Sequence, residues 1–188
     1  MKLLSEIRHC TLCAAHLPKG AKPILQAGIS SRILIIGQAP GQKAHDSGIP
    51  WNDASGDRLR LWLGVDKATF YNPDIFALVP MGFCYPGKMN SGDAPPRPEC
   101  APQWHKLLLD GMKQVRLTLL IGQYAQRYYL KGNIKASLTD TVSSYHEYLP
   151  QFLPIPHPSP RNRAWFKNNP WFEKDVLGVL RSKVKEAI

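Results

Sequence analysis

Arg32-Ile33-Leu34-Ile35-Ile36-Gly37-Gln38-Ala39-Pro40-Gly41 is the stretch whose reading decides the fold of this chain. A short run of branched apolar residues stopped by glycine is the pattern of a strand buried on both faces of a parallel sheet. The loop behind it then falls at the carboxyl end of that strand, where open parallel sheets bind ligands. Gly37 and Gly41 admit close approach of another group, and Pro40 stiffens the turn between them, which suits a platform of backbone N–H groups.

The same alternation extends outward from this strand. Ile75–Val79, Leu117–Ile121 and Phe152–Pro156 read as three further strands, the last marked by its two prolines as an edge strand or an irregular one. Helical periodicity marks residues 2–9, Arg58–Leu63 with Ser55 as its cap, Trp104–Val115 and Gln123–Leu130. Asn169-Pro170 reads as the start of a last helix running to about Lys185. The stretches 42–57 and 137–148 read as polar and irregular, and Pro80–Pro102 as a long proline- and glycine-rich loop. Strands alternating with helices predict an α/β fold, a three-layer αβα sandwich around a mostly parallel four-stranded sheet. No linker or repeat interrupts the 188 residues, so one domain, 1–188, is expected, as a monomer.

With 24 Lys and Arg against 14 Asp and Glu, the formal charge is +10, which favours a polyanionic partner, nucleic acid before an anionic membrane surface. No apolar run is long enough to span a bilayer, and the opening Met1–Arg8 is too short and polar for a secretory signal. A soluble cytoplasmic protein without membrane attachment is therefore expected. In a reducing compartment, four cysteines are core residues or metal ligands rather than disulfides. Cys10 and Cys13 form a C-x-x-C, while Cys84 and Cys100 flank the proline-rich loop. A cluster would tie that loop to the N-terminal helix; zinc is the alternative, with His9 and His16 close by in sequence, and unligated thiols remain a third reading.

A second loop, His157-Pro158-Ser159-Pro160-Arg161-Asn162, follows the fourth strand. Its prolines restrict the chain around Ser159, so an imidazole and a cation are presented together.

In chain order the distinctive elements are Cys10-x-x-Cys13, Gly37-Gln38-Ala39-Pro40-Gly41, Gly48-Ile49-Pro50-Trp51, Cys84, Cys100 and His157-Pro158-Ser159. This order resembles the uracil-DNA glycosylase superfamily, above all its iron–sulfur branch, family four. Pro160-Arg161-Asn162 is similar to the histidine loop of the single-strand-selective branch. The resemblance implies an N-glycosylase that flips a uracil or another deaminated base out of single- or double-stranded DNA and hydrolyses its glycosidic bond. It assigns His157 to the departing base and Trp51 to stacking on it, with Gly37, Gln38, Ala39, Pro40 and Gly41 around it. Ser159, Arg161 and Asn162 would meet the DNA, and Cys10, Cys13, Cys84 and Cys100 would hold a [4Fe-4S] cluster, with zinc as the alternative.

The chain departs from the family pattern in its polar residues. Gln38 stands where the first motif carries glutamate, Ala44 and His45 where an acidic pair follows, and Pro80 where a base-reading asparagine is expected. His45, Asp46 and Asp53 are the substitutes within the same loop, and His45 would serve as a base near neutral pH if it faces the pocket. A site stripped of these groups also fits a second reading, a DNA-binding member of the same fold with little or no catalysis. A hydrolase or transferase of free nucleotides is a third.

Overall fold

The computed structural model describes residues 2–90 and 92–188. Six strands are present among the described residues: β1 Ile33–Ile36, β2 Phe76–Leu78, β3 Lys88–Met89, β4 Gly92–Asp93, β5 Leu117–Ile121 and β6 Phe152–Ile155. The helices on the amino-terminal side of β5 are α1 Lys2–Arg8, α2 Gln42–Ser47, α3 Ala54–Leu63, α4 Lys67–Phe70 and α5 Cys100–Gly111. After it come α6 Gln123–Leu130, α7 Leu138–Ser143, α8 Arg163–Asn168 and α9 Leu177–Ala187.

Four strands form one all-parallel sheet in the order β2-β1-β5-β6. Alternation along each strand sends side chains to opposite faces, and each face has its own core. Ile33, Ile35, Phe76, Leu119 and Ile155 pack with α3 and α9 through Leu59, Trp62, Leu180 and Val184. Leu34, Ile36, Ala77 and Leu120 point the other way, into a core with Leu4 and Ile7 of α1, Leu108 of α5 and Ala125 of α6. The result is the three-layer αβα sandwich. Removing a fully buried ring such as Phe172 from this interior costs about 3–5 kcal/mol.

Pro154 lies in β6, which is an edge strand paired only with β5, so its missing N–H costs the ladder nothing on the open side.

Several boundaries differ from the sequence expectation. Residues 42–47 are helical (α2), because Gly41 provides an extended entry and Gly48, at φ 71°, a left-handed exit. Helix α3 begins at Ala54, capped by Asp53 rather than Ser55: Asp53 Oδ1 accepts the Gly56 N–H at 2.9 Å. Helix α5 starts earlier than expected, at Cys100, and the stretch around Ser137 contains α7, capped by the Ser137 hydroxyl. Asn169 is not the N-cap of the last helix but ends α8, its N–H donating to the Phe166 carbonyl at 3.2 Å; its side chain bridges Trp165 and Trp171, and a π-helical turn, Phe172–Val176, leads into α9. The proline-rich loop is not structureless, since it contains the β3–β4 hairpin; Ser91 within it lies outside the described residues. No helix among the described residues is long and apolar enough to cross a membrane.

Candidate active site

The chain runs from β1 outward to β2, then returns across the sheet to β5 on the other side of β1. Loops at the carboxyl ends of β1 and β5 therefore diverge and leave a crevice at this switch point. Gly37 opens the β1 loop, and Gly122 follows β5 with φ 79°. The Gly122 N–H donates to the Ile155 carbonyl at 3.0 Å, and a Cβ at Gly122 would lie 3.7 Å from His157 Cβ. This turn lets the loop after β6 lean across β5 toward the β1 loop.

There His157 meets Trp51. Their rings are stacked, with centroids 5.6 Å apart and planes inclined by 28°. The indole also lies against Gly37, where a Cβ would stand 2.7 Å from Trp51 Cζ2. Only glycine fits there. Trp51 itself has φ 58°, a conformation that costs a bulky L-residue about 1–3 kcal/mol unless its surroundings impose it. Three contacts impose it. Gly56 leaves room for the Trp51 carbonyl, which a Cβ would approach to 1.7 Å, Arg60 donates to that carbonyl at 3.4 Å, and Tyr71 donates to the Pro50 carbonyl at 3.0 Å.

His157 is half-buried and its pKa is pushed down to about 4, mainly by burial, with the Asp53 charge opposing. The imidazole is thus neutral at physiological pH. The backbone N–H of Ser159 donates to Nδ1 at 3.2 Å, so Nδ1 is the acceptor and the ring proton sits on Nε2. Asn162 Nδ2 donates to the His157 carbonyl at 2.8 Å, and the Ser159 hydroxyl accepts from the Arg161 N–H at 3.2 Å. Ser159 and Asn162 therefore brace the loop from within. Of the expected DNA-facing residues, Arg161 is exposed, while the Asn162 side chain is turned inward onto the loop.

The carboxylates near this cleft are not those the motif positions suggest. A Cβ at Gly41 would lie 3.3 Å from Asp93 Oδ2 and 3.7 Å from Asp53 Oδ2. Asp53 spends Oδ1 on the α3 cap and keeps Oδ2 toward Gly41. Asp46 is exposed and held by Gln42 at 2.7 Å and Lys19 at 3.5 Å, which removes it from the group around Trp51 and His157. His45 is buried against Tyr85, ring centroids 5.7 Å apart, and its Nδ1 has no protein partner. Burial, with Lys22 and Lys19, lowers its pKa, and neither Trp51 nor His157 is among its ring contacts. Gln38 donates to the Ala94 carbonyl at 3.3 Å, and its own carbonyl accepts from Gly82 N–H at 3.0 Å, so it ties the β1 loop to its neighbours. Ala39 is half-buried and Pro40 buried in that loop. Asp93 escaped the sequence reading altogether, since nothing local distinguishes an aspartate in a proline-rich stretch.

The Pro80 carbonyl, at the place of the expected asparagine, is bound by buried His105 at 3.0 Å, whose other nitrogen lies 2.6 Å from the Tyr129 hydroxyl. This position contributes a fixed backbone and no free side-chain amide.

Cys10, Cys13, Cys84 and Cys100 line one small cavity with Leu17, Phe83, Arg97 and other residues, although the two pairs lie far apart in the sequence. Burial pushes the Cys84 thiol up to about 11 and the Cys100 thiol to about 12, with the other thiols adding to the effect. The Phe83 N–H nevertheless points at Cys100 Sγ, 3.4 Å away. Four thiols lining one cavity, with Arg97 as its one charged residue, fit a cationic group that would let them ionise. His9 bonds the Ser5 carbonyl, and neither it nor His16 lines the cavity. Among the described residues no three His, Cys, Asp or Glu side chains are grouped as one metal ion would require.

Comparison with known families agrees with this architecture. The family model described as Uracil DNA glycosylase superfamily matches residues 26–181. That span takes in every strand of the sheet, both loops of the crevice and Trp51, and leaves out Cys10 and Cys13. With most of its length matched, the chain belongs to the uracil DNA glycosylase superfamily.

Proposed function

We propose that this protein is a DNA glycosylase that hydrolyses the N-glycosidic bond of uracil or another deaminated base. The observation that carries this reading is the geometry of His157: Nδ1 accepts the Ser159 N–H, which leaves Nε2–H as the donor, and the ring stacks on Trp51. A neutral donor placed where charge develops favours the transition state over the ground state.

In the proposed reaction a flipped base stacks on Trp51, and Nε2–H of His157 donates to a carbonyl oxygen of that base. The glycosidic bond breaks with its electron pair leaving on the base. Asp53, already held at the start of α3, presents its second carboxylate oxygen to the oxocarbenium-like sugar and orients the water that adds to it, the water's surplus proton passing to solvent. Asp53 takes this role rather than Asp46 because its second oxygen faces Gly41 of the pocket loop, whereas Asp46 is exposed and tied to Gln42 and Lys19. Without the family's asparagine, base choice rests on pocket shape and backbone, so uracil is the minimal substrate rather than the only one.

The donor set, four cysteines around one cavity with no histidine among its lining residues, supports a [4Fe-4S] cluster over zinc. Cys10, Cys13, Cys84 and Cys100 would hold such a group, which would tie the turn after α1 to the loop after β2 and the start of α5. The protein is read as cytoplasmic and monomeric, with DNA as its partner.

The test is an oligonucleotide panel carrying uracil, hypoxanthine or xanthine in single and double strands, followed by cleavage of abasic sites. His157→Ala is expected to lower excision by about 10²–10³-fold while leaving the fold intact. Binding to every substrate with no abasic product would replace this reading with that of a DNA-binding member without catalysis.

A further inference from the structure

A groove of about 980 Å³ opens beside the β2 edge of the sheet, between α1, the segment 48–52 and the start of α4. Pro50 and Asn52 line it, whereas Trp51 and His157 do not, so it is distinct from the candidate active site. One wall is a short extension of the sheet. Beyond the edge strand β2, Gln26 bridges Leu78 in antiparallel fashion: its N–H donates to the Leu78 carbonyl at 3.0 Å, and its carbonyl accepts the Leu78 N–H at 2.7 Å. Successive residues of extended chain send their backbone groups to opposite sides. The N–H and C=O groups of Leu25 and Ala27 therefore point away from β2, and both residues line the groove. Among the described residues no hydrogen-bond partner takes these groups, which leaves residues 25–27 as an open sheet edge.

The lining is mostly apolar, with Leu4, Leu25, Ile49, Pro50 and Pro73 among its residues and Ile49 left 44% exposed. Its charged residues are Arg8 and Lys67, both exposed, and no carboxylate lines it. An open edge calls for a partner that supplies donors and acceptors alternately at the strand repeat. A peptide backbone does so, whereas a nucleic-acid backbone offers phosphate acceptors and nothing for the Leu25 and Ala27 carbonyls. The apolar walls suit the side chains of one face of an added strand, and two unopposed cations suit carboxylates carried by it.

We propose that this groove docks an extended, acidic segment of a partner protein, which adds as a strand to the edge formed by residues 25–27. Its apolar side chains pack on the groove lining and its carboxylates meet Arg8 and Lys67. The docking surface stands apart from the glycosylase reading and holds whether or not the protein excises a base. It borders the active site all the same: Tyr71, another lining residue, donates to the Pro50 carbonyl at 3.0 Å, next in the chain to Trp51.

The experiment uses the full chain and a panel of fluorescein-labelled, end-capped heptapeptides that alternate Asp or Glu with Val, Leu or Phe, read by anisotropy and by amide hydrogen exchange. At least one acidic peptide is expected to bind saturably and to slow exchange at Leu25 and Ala27 by about tenfold or more. Its counterpart with lysine at the acidic positions, and the Arg8→Glu/Lys67→Glu variant with the acidic peptide, should each bind about tenfold more weakly or worse. N-methylation of alternate peptide amides, made in both registers, should cost about as much in at least one of them, because it removes the donors that pair with the edge. No saturable binding by any acidic peptide, undiminished binding by both N-methylated forms, or protection away from residues 25–27 would overturn the proposal. A single-stranded oligothymidylate that protects the same two amides and displaces the peptide would also overturn it and assign the groove to the DNA track.

Discussion

The indole of Trp51 lies against Gly37 and stacks on the imidazole of His157, with the two ring centroids 5.6 Å apart. One side chain thereby connects the loop after β1 to the loop after β6, across the intervening β5. Because the centroid spacing leaves no room for a further ring between the two planes, a base entering the cleft must stack on the free side of the indole or shift it.

This contact predicts a coupling between positions 37 and 51. Gly37→Ala places a methyl group at 2.7 Å from Trp51 Cζ2 and is expected to destabilise the protein by about 1–3 kcal/mol. Phenylalanine lacks that carbon, so in a Trp51→Phe background the same change should cost less, with a coupling energy of about 1 kcal/mol or more. Denaturant unfolding of the four proteins measures it; strict additivity would mean that the indole moves away freely.

Arg60 is expected to be a positioning residue. It is buried with its guanidinium 5.3 Å from the Phe70 ring centroid and 5.6 Å from that of Tyr71, and it bonds Asp57, Tyr71 and the Trp51 carbonyl. A lysine ammonium cannot serve these directions at once. Arg60→Lys should lower stability by about 1–2 kcal/mol and, below the melting range, still slow base excision. Excision at the wild-type rate would show that Trp51 holds its place without the guanidinium.

Acid should weaken the fold through its histidines. Burial pushes both His105 and His157 down to about 4, opposed by the Pro80 carbonyl for the first and the Asp53 charge for the second. In the unfolded chain each titrates near 6.5, so between about pH 6.5 and about pH 4 the unfolded state binds protons that the folded state refuses. Stability is therefore expected to fall as pH drops through that window, by up to about 3 kcal/mol for fully buried His105 and less for half-exposed His157. Thermal melts of wild type and His157→Gln across the window check this: the variant should lose less than wild type.

The cysteine cavity predicts about four irons per chain and a broad visible absorption in protein purified without oxygen. Cys100→Ser should reduce the iron content and lower the melting temperature, since the loop from residue 82 to residue 100 loses its tie to the turn after α1. About one zinc per chain and no visible absorption would assign the site to zinc.

Much of the fold was written locally. Ile33–Ile36 and Leu117–Ile121 are apolar on both faces and stopped by glycine, and a strand with that pattern has nowhere to go but the middle of a parallel sheet. The prolines of residues 152–156 placed β6 at an edge for an equally local reason. Helix starts were less legible, because Asp53 and Ser55 are both good caps and only packing chose between them.

By itself, then, the sequence determined the layers, the crevice between two glycine- and proline-bearing loops, and four cysteines in number. Tertiary structure alone decided which polar atoms reach the crevice. Asp53 stands there as the far oxygen of a helix cap, Asp93 arrives from a hairpin, His45 and Asp46 are drawn to Tyr85 and Lys19, and Asn162 folds back onto its own loop. The reason is physical: apolar periodicity is a property of neighbouring residues, whereas the direction of a single carboxylate depends on caps, charges and backbone contacts contributed by segments far away in the chain.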